Sequence, residues 1–129
     1  MKKEAIICLI TVVLIFIGHL ILQNYSKYAI GQTTDELDKL KRVIEKDNVD
    51  YNEAKNKIDD IHKNWDKKYN TMAFYIEHNE LEKVETELTG LRSSIETEEY
   101  SEAQNELARA VYILEHIEEK NKLSWKNIF

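Results

Sequence analysis

An all-α protein is what this chain predicts, on three observations. It has no proline and only three glycines in 129 residues, and proline is the residue least compatible with a helix interior. Its apolar residues recur at steps of three and four over most of the length, which is the spacing of one helical face. Turn signals of the kind that separate strands are scarce. The predicted architecture is one N-terminal transmembrane helix followed by an antiparallel helical bundle, or a set of helical hairpins.

The first element is "AIICLITVVLIFIGHLIL", residues 5–22. At a rise of about 1.5 Å per residue it measures roughly 27 Å, near the hydrocarbon thickness of a bilayer. Tyr25 and Tyr28 follow it, and tyrosine suits the headgroup level. Retention as an anchor is expected. The competing reading is a cleaved signal peptide ending near Ala29-Ile30-Gly31, although a long polar approach (Gln23, Asn24, Lys27) separates that site from the apolar run. Lys2 and Lys3 flank the run closely, which places the N-terminus in the cytoplasm and the remaining chain outside the cytoplasmic membrane. Lys39, Lys41 and Arg42 on the other side weaken that asymmetry. Cys8, the single cysteine, lies within the run and has no partner for a disulfide or thiolate cluster. His19, one turn from the end of the run, is expected at the interface or against another helix.

The chain is thus divided into a head (1–4), an anchor (5–22), a linker (23–32) and a helical extracytoplasmic domain (33–129). Within the domain, Thr33 and Glu36 form a T-x-x-E capping box ahead of Leu37, Leu40 and Ile44. Asp50 and Glu53 repeat that arrangement before Tyr51, Ala54, Ile58, Ile61, Trp65, Tyr69, Met72 and Ile76. Asn79 with Glu82 is positioned to cap a third helix carrying Leu81, Val84, Leu88, Leu91 and Ile95, although the same pattern fits a helix continuing without a break. After a turn in "ETEEYS", residues 96–101, a fourth stripe runs through Tyr100, Ala103, Leu107, Ala110, Val111, Leu114 and Ile117. Gly90, in the third stripe, marks either a close backbone approach or simple tolerance. The tail Leu123–Phe129, beyond a polar break at Glu118–Lys122, carries enough apolar surface to dock on the bundle or in a partner's groove.

Charge is uneven. From Asp35 to Glu77 there are 11 acids and 9 bases, whereas from Glu80 to Glu119 there are 12 acids and 3 bases. Such a face repels nucleic acid and anionic headgroups and attracts basic partners or, loosely, divalent cations. The commonest meaning of such a run is a solvated helix face.

Chemistry-bearing patterns are weak. The Glu-x-x-His signature of di-metal bundles requires an acid three residues before histidine. Tyr75 precedes His78 and Ile113 precedes His116 at that distance, so only Asp59/His62 approximates the signature, in isolation. A metal site from His78, His116 and nearby glutamates is conceivable if their helices are neighbours. Glu77/Glu80 and Glu98/Glu102 sit at helical spacing on an expected wet surface, where nothing raises one carboxyl into a general acid. No nucleophile elbow or phosphate loop is present. No catalytic, cofactor or metal residue is therefore assigned. Trp65 and the tyrosines are expected in the core.

The basic head and anchor, Trp65, "YIEHNEL" at 75–81 and the ending Asn127-Ile128-Phe129 resemble a family of short single-pass bacterial proteins of Firmicute type, domain of unknown function 4363. That resemblance implies a membrane-anchored helical module with no assigned activity. Relatives encoded beside multi-pass membrane proteins imply a membrane partner. The expected function is a non-enzymatic interaction or scaffold module with a protein partner in the envelope, self-association remaining open. An extracytoplasmic bundle that senses a ligand or metal is the alternative.

Overall fold

The computed structural model describes residues 2–128, with side chains described as far as Lys122. Four helices follow in order: α1 (Lys2–Ile44), α2 (Tyr51–Met72), α3 (His78–Glu96) and α4 (Tyr100–Ile128). Short connections force successive helices to run antiparallel. The packed pairs are α1·α2, α2·α3, α3·α4 and α1·α4, an up-down-up-down ring closed by its first and last members. Its interior is filled by the predicted stripes: Ile58, Ile61, Trp65 and Met72 from α2, Leu81, Val84, Leu88, Leu91 and Ile95 from α3, and Ala103, Leu107, Ala110, Leu114 and Ile117 from α4 are buried. The tyrosines, expected in the core, are not: Tyr51, Tyr69 and Tyr100 are half-covered and Tyr112 is exposed.

The largest departure from expectation is the linker. Residues 23–32 are helical, and α1 passes unbroken from the apolar run into the bundle. Ser26, Ala29, Ile30 and Thr33 are buried along the same stripe as Leu37 and Leu40. The small side chains of Ser26 and Ala29 let neighbouring helices approach, so the segment is core despite its modest apolarity. The Thr33/Glu36 box does not cap a helix. A capping residue needs non-helical backbone and free N–H groups ahead of it, whereas Thr33 lies mid-helix and its Oγ1 donates back to the Ala29 carbonyl at 2.9 Å.

The second box behaves as predicted. Asp50 has extended backbone, and its side chain accepts the Glu53 N–H at 3.2 Å. At the other end of α1, Gln104 Nε2 of α4 donates to the Ile44 carbonyl at 3.3 Å, a helix end satisfied from another helix.

α2 and α3 are separate helices. Five positions from Ile76 to Leu81 amount to about 140° off-face in a continuous helix, yet both residues are buried. A break at residues 73–77 lets both face inward. Asn79 and Glu82 do not start α3: its N-cap is Glu77, which makes no side-chain cap bond. The α3–α4 turn follows the left-handed closure of a Schellman motif. Glu99 N–H donates to the Ser94 carbonyl at 2.8 Å, and Glu98 N–H to Ile95 at 3.0 Å. Glu98 occupies the left-handed position with φ 57°, where glycine is usual.

Glu118–Lys122 does not interrupt α4, which stays helical through Ile128. Docking of the Leu123–Phe129 side chains lies outside the described residues.

α1 has two characters. Residues 5–17 are exposed throughout, and the helix carries an apolar window of membrane-crossing length with none of it buried. Packing begins at Gly18, His19 and Leu20, which are half-buried. There the His19 ring lies 5.3 Å from that of Tyr75 in the α2–α3 connection.

Candidate functional site

The chemistry-bearing side chains gather on the α2–α3 seam. His62 and Asp66 stand one turn apart on α2, on the side that meets Glu85 of α3. His62 Nε2 lies 2.5 Å from Glu85 Oε1, and ligand-type atoms of His62, Asp66 and Glu85 all fall within 4.8 Å of one another. The His62 side chain is 13% exposed and that of Glu85 35%. Two buried atoms in the pair, His62 Nδ1 and Glu85 Oε2, have no hydrogen-bond partner in the protein. Beside them opens a groove of about 490 Å³ lined by Asp59, His62, Lys63, Asp66, Lys67 and Arg92.

One nitrogen and two carboxylates can hold a borderline divalent ion such as zinc. Two features oppose it. Tetrahedral ligands at zinc distances stand roughly 3.3 Å apart, so the ion would have to separate the closely bonded His62–Glu85 pair. Lys63, Lys67 and Arg92 also line the groove, and their charge disfavours a cation. As it stands, the pair is a hydrogen-bonded staple between α2 and α3.

One turn farther along the seam, Lys55 bonds Asp59 at 2.7 Å and Glu96 at 3.1 Å, and Arg92 bonds the same two acids at 3.1 and 3.2 Å. Its hydrogen bond to Asp59 holds Lys55 above its ordinary range, and the hydrogen bond from Lys55 lowers Glu96. Asp59 therefore belongs to this network rather than to a metal motif with His62.

The site conceived on His78 and His116 does not assemble. His78 Nε2 pairs with Glu82 at 2.8 Å and its Nδ1 meets the Tyr69 hydroxyl at 3.0 Å. His116 lies on the exposed side of α4. Neither carboxylate pair forms either: Glu77 reaches Lys120 at 3.3 Å, while Glu80 is buried rather than wet and meets Lys83 at 3.4 Å. Glu98 sits in the turn and Glu102 reaches Arg109 at 3.5 Å. Trp65 is fully buried, as expected, with its indole N–H unpaired among protein groups.

One unusual carboxylate escaped the sequence reading. Glu106 of α4 enters a notch on α3 formed by Gly90 and Ser94, accepting the Ser94 hydroxyl at 2.9 Å. A Cβ on Gly90 would stand 3.0 Å from Glu106 Oε1, so the group closely approaching this glycine is a side chain, not a backbone. Desolvation raises Glu106 above its ordinary range. Two small residues four apart were the only sequence signal.

The family model described as Domain of unknown function (DUF4363) matches residues 20–128. The chain belongs to that family. No curated protein and no solved structure matches it. The DUF4363 match begins at Leu20, two residues past the point where α1 starts to be covered, so the family's domain coincides closely with the packed bundle. It includes the second half of α1, the His62–Glu85 staple and the Glu106 notch.

Proposed function

We propose that this DUF4363 protein is a membrane-anchored helical interaction module, with no catalytic step of its own, that holds its bundle at the membrane face for another envelope protein to engage. The observation carrying this reading is the continuity of α1: an exposed apolar helix passes without a hinge into the bundle core. Such a shaft fixes the bundle relative to the membrane, which serves a docking partner better than a diffusing substrate. With Lys2 and Lys3 inside, the bundle lies outside the cytoplasmic membrane.

The engaging surface we favour is the outer face of α4. Tyr112, 71% exposed, stands there with Glu115 and Glu119 within two turns. The cation of Arg109, on the turn before, is already paired to Glu87 and Glu102. An exposed aromatic followed by acids on the next two turns suits a basic protein surface, a multi-pass membrane protein included, better than nucleic acid. A photo-crosslinking residue at position 112 in native membranes should give one discrete adduct, lost when Glu115 and Glu119 become lysine. A diffuse smear, or an adduct indifferent to those charges, overturns the reading. Protease added to protoplasts should remove the bundle, and its protection reverses the orientation.

A second reading, metal sensing by the bundle, is favoured by the His62–Asp66–Glu85 grouping and its two unpartnered atoms. It expects zinc ions to raise the melting temperature of the full chain and His62→Ala to abolish that rise. Equal melting with and without zinc rejects it.

A further inference from the structure

The apolar run and the bundle overlap. Of residues 5–22, those from Gly18 to Leu20 are already half-covered. The run is continuously exposed only over residues 5–17, about 20 Å of helix, whereas a bilayer's hydrocarbon core is about 30 Å thick. A helix that crosses with its whole apolar run in lipid therefore draws whatever surrounds residues 18–22 to the bilayer surface.

What surrounds them is the α2–α3 connection. Tyr75 stacks at a tilt on His19, so this turn is level with the last part of the apolar run. The residue before it, Phe74, is 82% exposed, more than any other large apolar side chain described. Tyr28, 65% exposed, stands six residues past the run, about 9 Å higher and within the headgroup layer. Lys122 shares a pocket with Gln23, Lys27 and Tyr75 at this end, and α4 continues as helix to Ile128.

We infer that the end of the bundle carrying residues 73–77 is seated in the headgroup layer of the bilayer that α1 crosses, with Phe74 inserted among the lipids. The inference rests on α1 being a membrane span. The occupant of this apolar end is lipid, because Tyr75 seats the turn on α1 at His19, between Ile17 and Ile21, which remain exposed along the apolar run. A ring in the interface also removes the anomaly of a lone phenylalanine held in water at the tip of a turn.

The test uses the full chain in vesicles of phosphatidylcholine and phosphatidylglycerol, with Cys8→Ser to remove the native thiol. A nitroxide is attached at Phe74→Cys or, at the opposite end of the bundle, at Asp47→Cys. Power saturation should give an oxygen-to-nickel-chelate accessibility ratio several-fold higher at position 74 than at 47. Equal ratios in protein that resists alkaline carbonate would overturn the seating while leaving the span intact. A label at 74 shielded from both reagents would also overturn it, identifying a protein cover instead. Release of the protein by carbonate would overturn the span and the seating together.

Discussion

Residues 5–17 and 26–44 of α1 belong to one helix and treat apolar side chains in opposite ways. In the first stretch, Ile6, Ile7, Leu9, Ile10 and all of residues 12–17 are large, apolar and exposed. In the second, fewer apolar residues occur, but Ile30, Leu37, Leu40 and Ile44 fall on one stripe and are buried. Apolar content alone thus says little about burial inside a protein. A stripe with a polar opposite face needs one packing partner, whereas a helix apolar all round needs cover on every side, from protein or from lipid. The boundary is set by where α2, α3 and α4 stop, not by any proline or glycine break in α1.

The strongest way to break this contrast is to damage each region and ask whether the other notices. Trp65→Ala should cost the bundle about 3–5 kcal/mol, the usual toll of deleting a fully buried aromatic. Denaturant unfolding in detergent measures it, and carbonate resistance should be unchanged. Leu14→Arg should do the reverse. A charge near the middle of the run opposes insertion by about 2.5–3.5 kcal/mol, so the fraction of protein in the carbonate supernatant should rise while its bundle melt stays intact. If either substitution produced the other's phenotype, the two halves of α1 would not be separate units.

A smaller effect contrasts two backbone positions, one in a turn and one inside a helix. Glu98 occupies a left-handed position that costs roughly 1–2 kcal/mol for residues with a Cβ, so Glu98→Gly should raise the melting temperature. Gly90 has ordinary helical backbone, and alanine there carries about 1 kcal/mol of helix propensity. Its Cβ would crowd the Glu106 carboxylate. Gly90→Ala should therefore stabilise fully only alongside Glu106→Ala, and a double-mutant cycle reads the coupling.

The smallest expected effect is pH-dependent. Burial raises Glu106 above its ordinary 4.5, so the folded protein holds that proton more tightly than the unfolded chain. Stability then falls as pH climbs above 4.5 and levels off once the folded carboxyl has ionised. Glu106→Gln keeps a partner for Ser94 without the charge. It should melt higher than the parent at neutral pH, with the difference closing in acid. A difference that widens in acid would contradict the notch's desolvation.

Much of the fold was legible in the chain. The α2, α3 and α4 stripes, the Asp50 cap, the buried Trp65 and the apolar run all follow from periodicity and local chemistry, which act within a few residues of themselves. The helical, packed course of residues 23–32 was not legible because Ser26, Ala29 and Thr33 are polar or small. Their burial depends on α2 and α4, which pack against α1 from distant parts of the chain. Thr33/Glu36 failed for a related reason: a capping box is an instruction only where the backbone is free to turn, and the α1 stripe kept it helical.

The residue pattern alone therefore determined that four apolar stripes must pack and that residues 5–22 suit lipid, because the helical period and transfer from water are local properties of the chain. Only the tertiary structure decided which side chains meet. It joined His62 to Glu85 across the seam and left Asp59 to Lys55 and Arg92. It also fitted Glu106 beside Gly90 and laid Tyr75 against His19. Each of these pairings depends on the rotation and axial offset of one helix against another, quantities fixed by the collective fit of the whole core and written in no single segment.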